Sequence, residues 1–274
     1  MGQMLSKTGL GSAALTQVTE AKEHVSITIP AGKGGVLKAV CVLAAGTLET
    51  VVNGGGKVVL HNSSANWEPF EFTTGYQTTV TEGGDYMEPF RFACEKELPG
   101  NTTVTVDYTP YDNQSQRLQV TLIWEKGAEI GEETFAKLLF PLKTAAVTAT
   151  TRASPGTIAI PAGTGGELYA VCGLAWPTVE TVVNSGGKVE IECDAYDVTP
   201  MEFYTPLDTT VGASGGSYGK PWVIPYTHEV LANSNYTVYY TPNDDQSQTL
   251  SVWLAWRRVA KYSVQGQSGA RRRK

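Results

Sequence analysis

The chain has 274 residues, of which 41% are hydrophobic and 18% charged, and its net charge is −6. No run of 18 apolar residues occurs, which excludes a transmembrane helix. The 29 glycines and 14 prolines, with abundant Thr and Val, favour an all-β chain with many turns.

Residues 1–23 precede the first predicted strand and are interpreted as an N-terminal arm. They lack the basic start and apolar core of a secretion signal, so we expect synthesis in the cytoplasm. The segment Met1–Ser6 matches the loose pattern for myristoylation of Gly2. The alternative is an exposed arm whose apolar residues pack on a neighbouring molecule or a lipid surface.

Residues 24–127 are predicted to form the first domain. Eight short segments are rich in β-branched or aromatic residues and are bounded by Gly, Pro, Asn or Asp, as strands are. They are His24–Ile29, Val36–Ala44, Lys57–Asn62, Pro69–Thr74, Gln77–Thr81, Pro89–Cys94, Thr102–Thr109 and Gln116–Trp124.

Residues 128–154 are predicted to be an ordered connector. Within them, Glu132–Phe140 has acidic residues at its start and Pro141 directly after it, a pattern typical of a short helix. An ordered connector indicates a fixed geometry between the domains.

Residues 155–259 are predicted to form a second domain that repeats the first. Residues 29–60 align with 160–191 at an offset of 131, with 22 of 32 positions identical, and the match resumes near the end of each half. A repeat of this length indicates a duplicated domain. An immunoglobulin-like sandwich would have similar strand numbers, but its Cys–Trp–Cys spacing is absent. The predicted fold class is therefore all-β, with two tandem eight-stranded jelly-roll sandwiches and a short helical connector.

Two repeated loops are predicted to be turns. Ile29–Gly35 and Ile160–Gly166 read as tight hairpin turns in which glycines supply positive φ. The loops that contain Asp112, and Asp244 with Asp245, are also predicted to be hairpin turns. The alternative for them is a calcium site, because their oxygen atoms are suitable ligands.

Chemistry-bearing residues are sparse. The three histidines, His24, His61 and His228, are not repeated between the halves. Two cupin-type metal clusters would need more, so we expect no enzyme, no cofactor and no metal site. The four cysteines are expected to be free and buried, in a chain made in a reducing compartment.

Three tryptophans, Trp67, Trp176 and Trp222, fall where loops are predicted. They are candidate ligand-stacking residues or buried anchors of an interface. Residues 260–274 are predicted to be a basic tail, in which Arg271, Arg272, Arg273 and Lys274 are candidates for contact with nucleic acid or an anionic membrane. The alternative is a solvated tail.

This architecture resembles the double jelly-roll major capsid proteins of tailless icosahedral double-stranded DNA viruses. The resemblance covers the full length and is architectural. It implies that the jelly rolls stand side by side, that three chains form a pseudo-hexagonal capsomer in the virion shell, and that the tails face an internal membrane or the genome. Penton or minor capsid proteins are further implied partners. The alternative function is a tandem carbohydrate- or ligand-binding module.

Overall fold

The computed structural model describes residues 2–11, 20–46, 52–62, 64–65, 67–68, 70–79, 89–111, 116–139, 151–177, 183–195, 200–205, 208–210, 218–219, 221–243 and 248–259. This part of the chain is all-β. Its strands form four antiparallel sheets of four strands each, together with two small sheets.

The first sandwich contains two of the four-stranded sheets. One is built from β1 (Met4–Leu10), β3 (Gly35–Gly46), β8 (Phe90–Leu98) and β10 (Gln116–Lys126), in the order β1-β10-β3-β8. The other is built from β2 (Ala21–Ile29), β5 (Gly56–His61), β6 (Glu71–Thr73) and β9 (Thr102–Pro110), in the order β2-β9-β5-β6. This order over two facing sheets is that of a jelly roll.

The second sandwich repeats this topology. One sheet contains β11 (Glu132–Leu139), β13 (Gly166–Pro177), β19 (Trp222–Val230) and β21 (Gln248–Val259), in the order β11-β21-β13-β19. The other contains β12 (Ala153–Ala159), β15 (Gly187–Cys193), β16 (Met201–Tyr204) and β20 (Asn235–Pro242), in the order β12-β20-β15-β16. The fold is thus two tandem jelly-roll sandwiches.

Short strands form the two small sheets. The strand β7 (Tyr76–Thr79) pairs with β4 (Val52–Gly54) and with β18 (Tyr218–Gly219), which belongs to the second half of the chain. The strand β14 (Val183–Ser185) pairs with β17 (Asp208–Thr210).

The helical connector predicted at Glu132–Phe140 is wrong. Residues 132–139 form β11, which pairs with β21 and places Phe135 opposite Trp256. Both faces of β11 are covered: Phe135 enters the second core, whereas Ala136 and Leu138 enter the first. A strand buried on both faces loses its alternating pattern, which is why its sequence resembled a helix.

Residues 4–10, within the segment interpreted as an N-terminal arm, form β1. This strand pairs with β10 along its whole length, from Met4 opposite Glu125 to Leu10 opposite Gln119. The amide of Gly2 donates a hydrogen bond to the Glu125 carboxylate at 2.9 Å. β1 has the same place in the first sandwich as β11 has in the second.

The predicted glycine turns are present, but they do not form hairpins. Gly32 and Gly163 have φ values of 69° and 75°, as the turns require. The first turn joins β2 to β3, which belong to opposite sheets of the sandwich. Trp124 and Trp256 hold the two turns, because their indole N–H groups donate to the carbonyl oxygens of Lys33 and Thr164.

Candidate interaction surface

The two sandwiches meet at an interface that is not symmetric. The first sandwich contributes its open edge, where β6 and β8 end the two sheets. The second sandwich contributes the outer face of the sheet that contains β11, β21 and β13. An edge of one half therefore packs on a face of the other.

The centre of this interface is apolar. Trp253 is fully buried and meets Phe90 edge to face at 5.8 Å between ring centroids. Ala170, Cys172 and Ala255 lie on the same face and join the core of the first sandwich. The first core thus continues without interruption into the second sandwich, which fixes the two lobes relative to one another.

A buried ion pair crosses the interface. Lys96 on β8 has no exposed side-chain surface, and its Nζ lies 3.1 Å from the carboxylate of Glu133 on β11 and 2.8 Å from the carbonyl oxygen of Glu68. Burial lowers the pKa of Lys96, and the charge of Glu133 opposes that shift. Arg258 also pairs with Glu133, at 2.9 Å.

A second ion pair and two further hydrogen bonds also cross the interface. Lys137 on β11 lies 2.7 Å from Glu71 on β6. The backbone N–H of Glu95 donates to the Thr134 hydroxyl at 2.9 Å, and the Tyr169 hydroxyl donates to the Ala93 carbonyl at 3.2 Å. Sequence analysis missed the roles of these residues, because they depend on which strand edge meets which sheet face.

The described part of the chain exposes five large hydrophobic side chains, and all of them lie on three strands. Their exposed fractions range from 40% to 72%. Tyr204 lies on β16, Val223 and Tyr226 lie on β19, and Met4 and Leu10 lie on β1. β16 and β19 form an edge of the second sandwich, and β1 is the outer strand of a sheet in the first.

Of the three candidate tryptophans, the side chains of Trp67 and Trp222 are described, and each packs on a different phenylalanine. Trp67 packs edge to face on Phe70, and its indole N–H donates to the Glu97 carbonyl at 2.7 Å. Trp222 packs edge to face on Phe203 at 4.9 Å, against the second core. Trp176 is in β13, and its side chain lies outside the described residues. Trp67 and Trp222 thus each pack on a neighbouring aromatic ring.

A polar cleft of about 740 Å³ lies on the first sandwich, over β9, β5 and the start of β2. At its base the buried Asp107 accepts hydrogen bonds from Lys22 Nζ at 3.0 Å and from the Glu23 amide at 2.8 Å, and it pairs with His61 Nε2 at 3.0 Å. Burial alone would raise the pKa of Asp107, but these partners together lower it. Trp67 also borders the cleft.

Asp107 has a structural task in this cleft. Glu23 has a φ of 47° at an irregularity in the pairing of β2 with β9, and Asp107 satisfies its amide. At the equivalent place in the second sandwich, Arg152 pairs with Glu190 and Glu192 and stacks on Tyr239 at 3.4 Å. The Asp107 cluster is therefore replaced by different residues at this place in the second sandwich.

Other predicted sites lie outside the described residues. These are the tail cations Arg271, Arg272, Arg273 and Lys274, and the loop acids Asp112, Asp244 and Asp245. Among the residues that are described, no cluster of three or more His, Cys, Asp or Glu is placed to hold a metal ion. The same residues include no helix of sufficient length and apolarity to cross a membrane.

The four cysteines are free. Cys94 and Cys172 are buried, and burial raises the pKa of both thiols. Cys41 and Cys193 are half-buried, so they are more accessible than the sequence suggested.

No protein-family model matches the chain, and no curated protein is significantly similar to it. Among solved structures, PNGase F, a glycosylasparaginase from Flavobacterium meningosepticum, matches with a TM-score of 0.45 and 10% identity, over 93% of this chain and 96% of that one. The major capsid protein P2 from bacteriophage PM2 matches with a TM-score of 0.37 and 11% identity, over 94% and 99% of the two chains. The CBM22 tandem domain of Xyn10C from Paenibacillus barcinonensis matches with a TM-score of 0.24 and 10% identity, over 95% and 92%. An enzyme and a capsid protein both match at low TM-score, so the function has to be argued from the surfaces of this chain.

Proposed function

We propose that this chain is a non-enzymatic structural capsid protein, three copies of which form a pseudo-hexagonal capsomer of an icosahedral shell. The observation that carries the proposal is the interface between the sandwiches. Its apolar centre around Trp253 and Phe90 and its buried Lys96–Glu133 pair join two similar lobes into one rigid block. Rigid blocks of fixed shape are what a closed surface lattice requires.

The duplication also supports this proposal. Fusion of two similar sandwiches raises the effective concentration of the second one and fixes their ratio at one to one. A ring of three such chains has three-fold symmetry in its chains and approximate six-fold symmetry in its lobes. Six-fold units of this kind can tile a shell.

The basic tail is proposed to contact the genome or an internal membrane. Residues 257–274 carry seven basic residues and no acid, so the rest of the chain has a net charge of −13. Deletion of residues 270–274 should weaken binding to DNA and to anionic vesicles. Because about 0.9 counterion is released for each cation neutralised on duplex DNA, the slope of log affinity against log salt should become less steep by up to about 3.6. Unchanged binding would contradict this role.

The capsomer proposal is tested by native mass spectrometry and light scattering of the purified chain. We expect a mass of three times 29.4 kDa, or larger closed particles visible by electron microscopy. A stable monomer over all salt and protein concentrations would contradict the proposal.

The polar cleft favours a second candidate function, a ligand-binding module. Trp67 beside the polar residues around Asp107 is the kind of lining that a sugar site uses. Arg152, Glu190 and Glu192 stand where the second sandwich would repeat the Asp107 cluster, which argues against a tandem module with two equal sites. A glycan screen of the intact chain and of a His61→Ala variant tests this function. Binding that the variant loses would support it over the capsid proposal.

A further inference from the structure

We infer that the contact between the two sandwiches is repeated between chains. In this inference, the β16–β19 edge of the second sandwich docks on the outer face of β1, β10 and β3 in the first sandwich of another copy of the chain. The inference rests on the proposed shell function and deepens it, because it names the surfaces through which the subunits join.

The first argument is geometric. The internal contact uses the edge of the first sandwich and a face of the second. Because the sandwiches share one topology, each chain also has an equivalent edge on the second sandwich and an equivalent face on the first. That remaining edge and that remaining face occupy the same places in their sandwiches as the pair already in contact.

The second argument is that both charges of the Glu71–Lys137 ion pair recur at the equivalent positions of the two proposed surfaces. Pairing registers with β5 and β15 make Glu202 on β16 the counterpart of Glu71 on β6. Registers with β10 and β21 make Lys7 on β1 the counterpart of Lys137 on β11. Inside the chain, Glu71 and Lys137 form the 2.7 Å pair that crosses the interface. Within the chain, Glu202 lies 3.1 Å from Lys188, and Lys7 Nζ donates to the Thr28 carbonyl at 2.7 Å. The charges of Glu202 and Lys7 nevertheless occupy the places that Glu71 and Lys137 have in the internal contact.

The third argument is the distribution of exposed apolar side chains. Tyr204, Val223 and Tyr226 lie on the proposed edge, and Met4 and Leu10 lie on the outer strand of the proposed face. They are all of the large hydrophobic side chains that the described part of the chain exposes. Because exposed large apolar side chains often mark interaction sites, their restriction to these strands favours the proposed surfaces.

The buried Lys96–Glu133 pair has no equivalent on the two surfaces proposed to meet between chains. This difference is expected if the chains fold before they meet. The register places His228 at the position of Lys96, and Gln3 at the position of Glu133. Chains that meet after folding would have to desolvate a Lys–Glu pair, which is costly. Replacement of the glutamate by an amide removes that cost from the contact between chains.

A head-to-tail contact of this kind closes into a ring or continues as a filament, depending on the rotation at each step. In a closed trimer, three contacts inside chains alternate with three contacts between chains. The six lobes are then joined by six similar interfaces.

Charge reversal tests the proposed pair. In Lys7→Glu or Glu202→Lys chains, like charges face each other at every contact between chains. We expect each single variant to raise the protein concentration at half-assembly at least about tenfold, and the double variant to return it to within about threefold of the native value. Lys33→Glu is the matched control, because Lys33 is exposed in the turn that precedes β3 and is outside the strands that form the two surfaces, so it should leave assembly unchanged. Single variants that behave like this control, or a double variant with the summed defect, would overturn the inference.

A disulfide trap tests the register of the contact. Inside the chain, Phe70 and Ala136 are bridge partners, and their counterparts are Met201 and Ser6. A Ser6→Cys/Met201→Cys chain should form disulfide-linked multimers on mild oxidation, whereas each single variant should not exceed the background of the four native thiols. A chain that assembles normally without this cross-link overturns the inference and leaves the proposed capsid function standing. If the native chain never assembles, both the inference and the proposed capsid function are overturned.

Discussion

The buried pair between the sandwiches gives a prediction in which the two partners behave differently. Glu133→Gln should strongly destabilise the chain, whereas Lys96→Met should change its free energy of unfolding little. The reason is that Glu133 has two cationic partners, Lys96 at 3.1 Å and Arg258 at 2.9 Å. Removal of one cation leaves the carboxylate paired, but removal of the carboxylate leaves two cations beside one another.

The magnitude follows from the burial of each group. The side chain of Lys96 has no exposed surface, and that of Glu133 is 22% exposed. Removal of one partner of a buried ion pair costs about 3–5 kcal/mol, and the partial exposure of Glu133 places this case near 3 kcal/mol. For a chain of this size the midpoint of thermal unfolding should fall by about 6–12 °C. Lys96→Met loses the ammonium charge that lies over the Phe70 and Phe135 rings, but it also removes the cost of keeping that charge buried, and the thioether fills a similar volume beside the two rings. Because these effects oppose one another, we expect a change within about 1 kcal/mol.

Chemical and thermal denaturation at pH 7, followed by circular dichroism, provide the assay. The comparison uses free energies extrapolated to water for the native chain and both variants. If Lys96→Met proved as destabilising as Glu133→Gln, the hydrogen bond from Lys96 to the Glu68 carbonyl would matter more than the unpaired charge, and the reasoning would be refuted.

Three further predictions concern stability and reactivity. Trp253→Ala should cost about 3–5 kcal/mol in denaturant unfolding, since it empties the centre of the interface; a loss below 1 kcal/mol would show that the lobes are not coupled there. Asp107→Asn should cost about 1–2 kcal/mol at pH 7. The pKa of Asp107 in the folded chain is lowered, so the stability that its charge contributes is present above the unfolded pKa of about 3.9 and is lost as the pH falls through the folded pKa. The free energies of unfolding of the native chain and the variant should therefore converge in acid. A constant difference between them down to pH 2 would contradict this. Thiol reagents should modify Cys41 and Cys193 in the folded chain but Cys94 and Cys172 only after unfolding, because the first two are half-buried and the latter two are buried. Rapid labelling of all four under native conditions would be the contrary result.

The sequence predicted the class of fold because the repeat and the strand patterns are local signals. Strand pairing is not local, and this explains the errors. The turn at Ile29–Gly35 has the glycine chemistry of a hairpin, yet it joins strands of opposite sheets. A jelly roll uses tight turns to cross between sheets, and the same residues serve either purpose. The turn residues therefore located the end of β2 and the start of β3, but they could not show which strands β2 and β3 pair with.

The candidate surface required both the register and the packing of the lobes. Glu71 and Glu202 occupy matching positions in similar segments, so their equivalence could be read from the sequence. Lys7 and Lys137 could not be matched in that way, because β1 and β11 share little sequence and β11 reads as a helix. The two lysines become equivalent only through their pairing with β10 and β21. The divergence of these two strands follows from their different surroundings: β11 is buried on both faces inside the chain, whereas β1 has kept an outer face with an exposed Met4. Lys7 and Lys137 are the same residue type at equivalent positions, although the residues around them differ. We expect this pattern if the same contact is made once within each chain and once between chains.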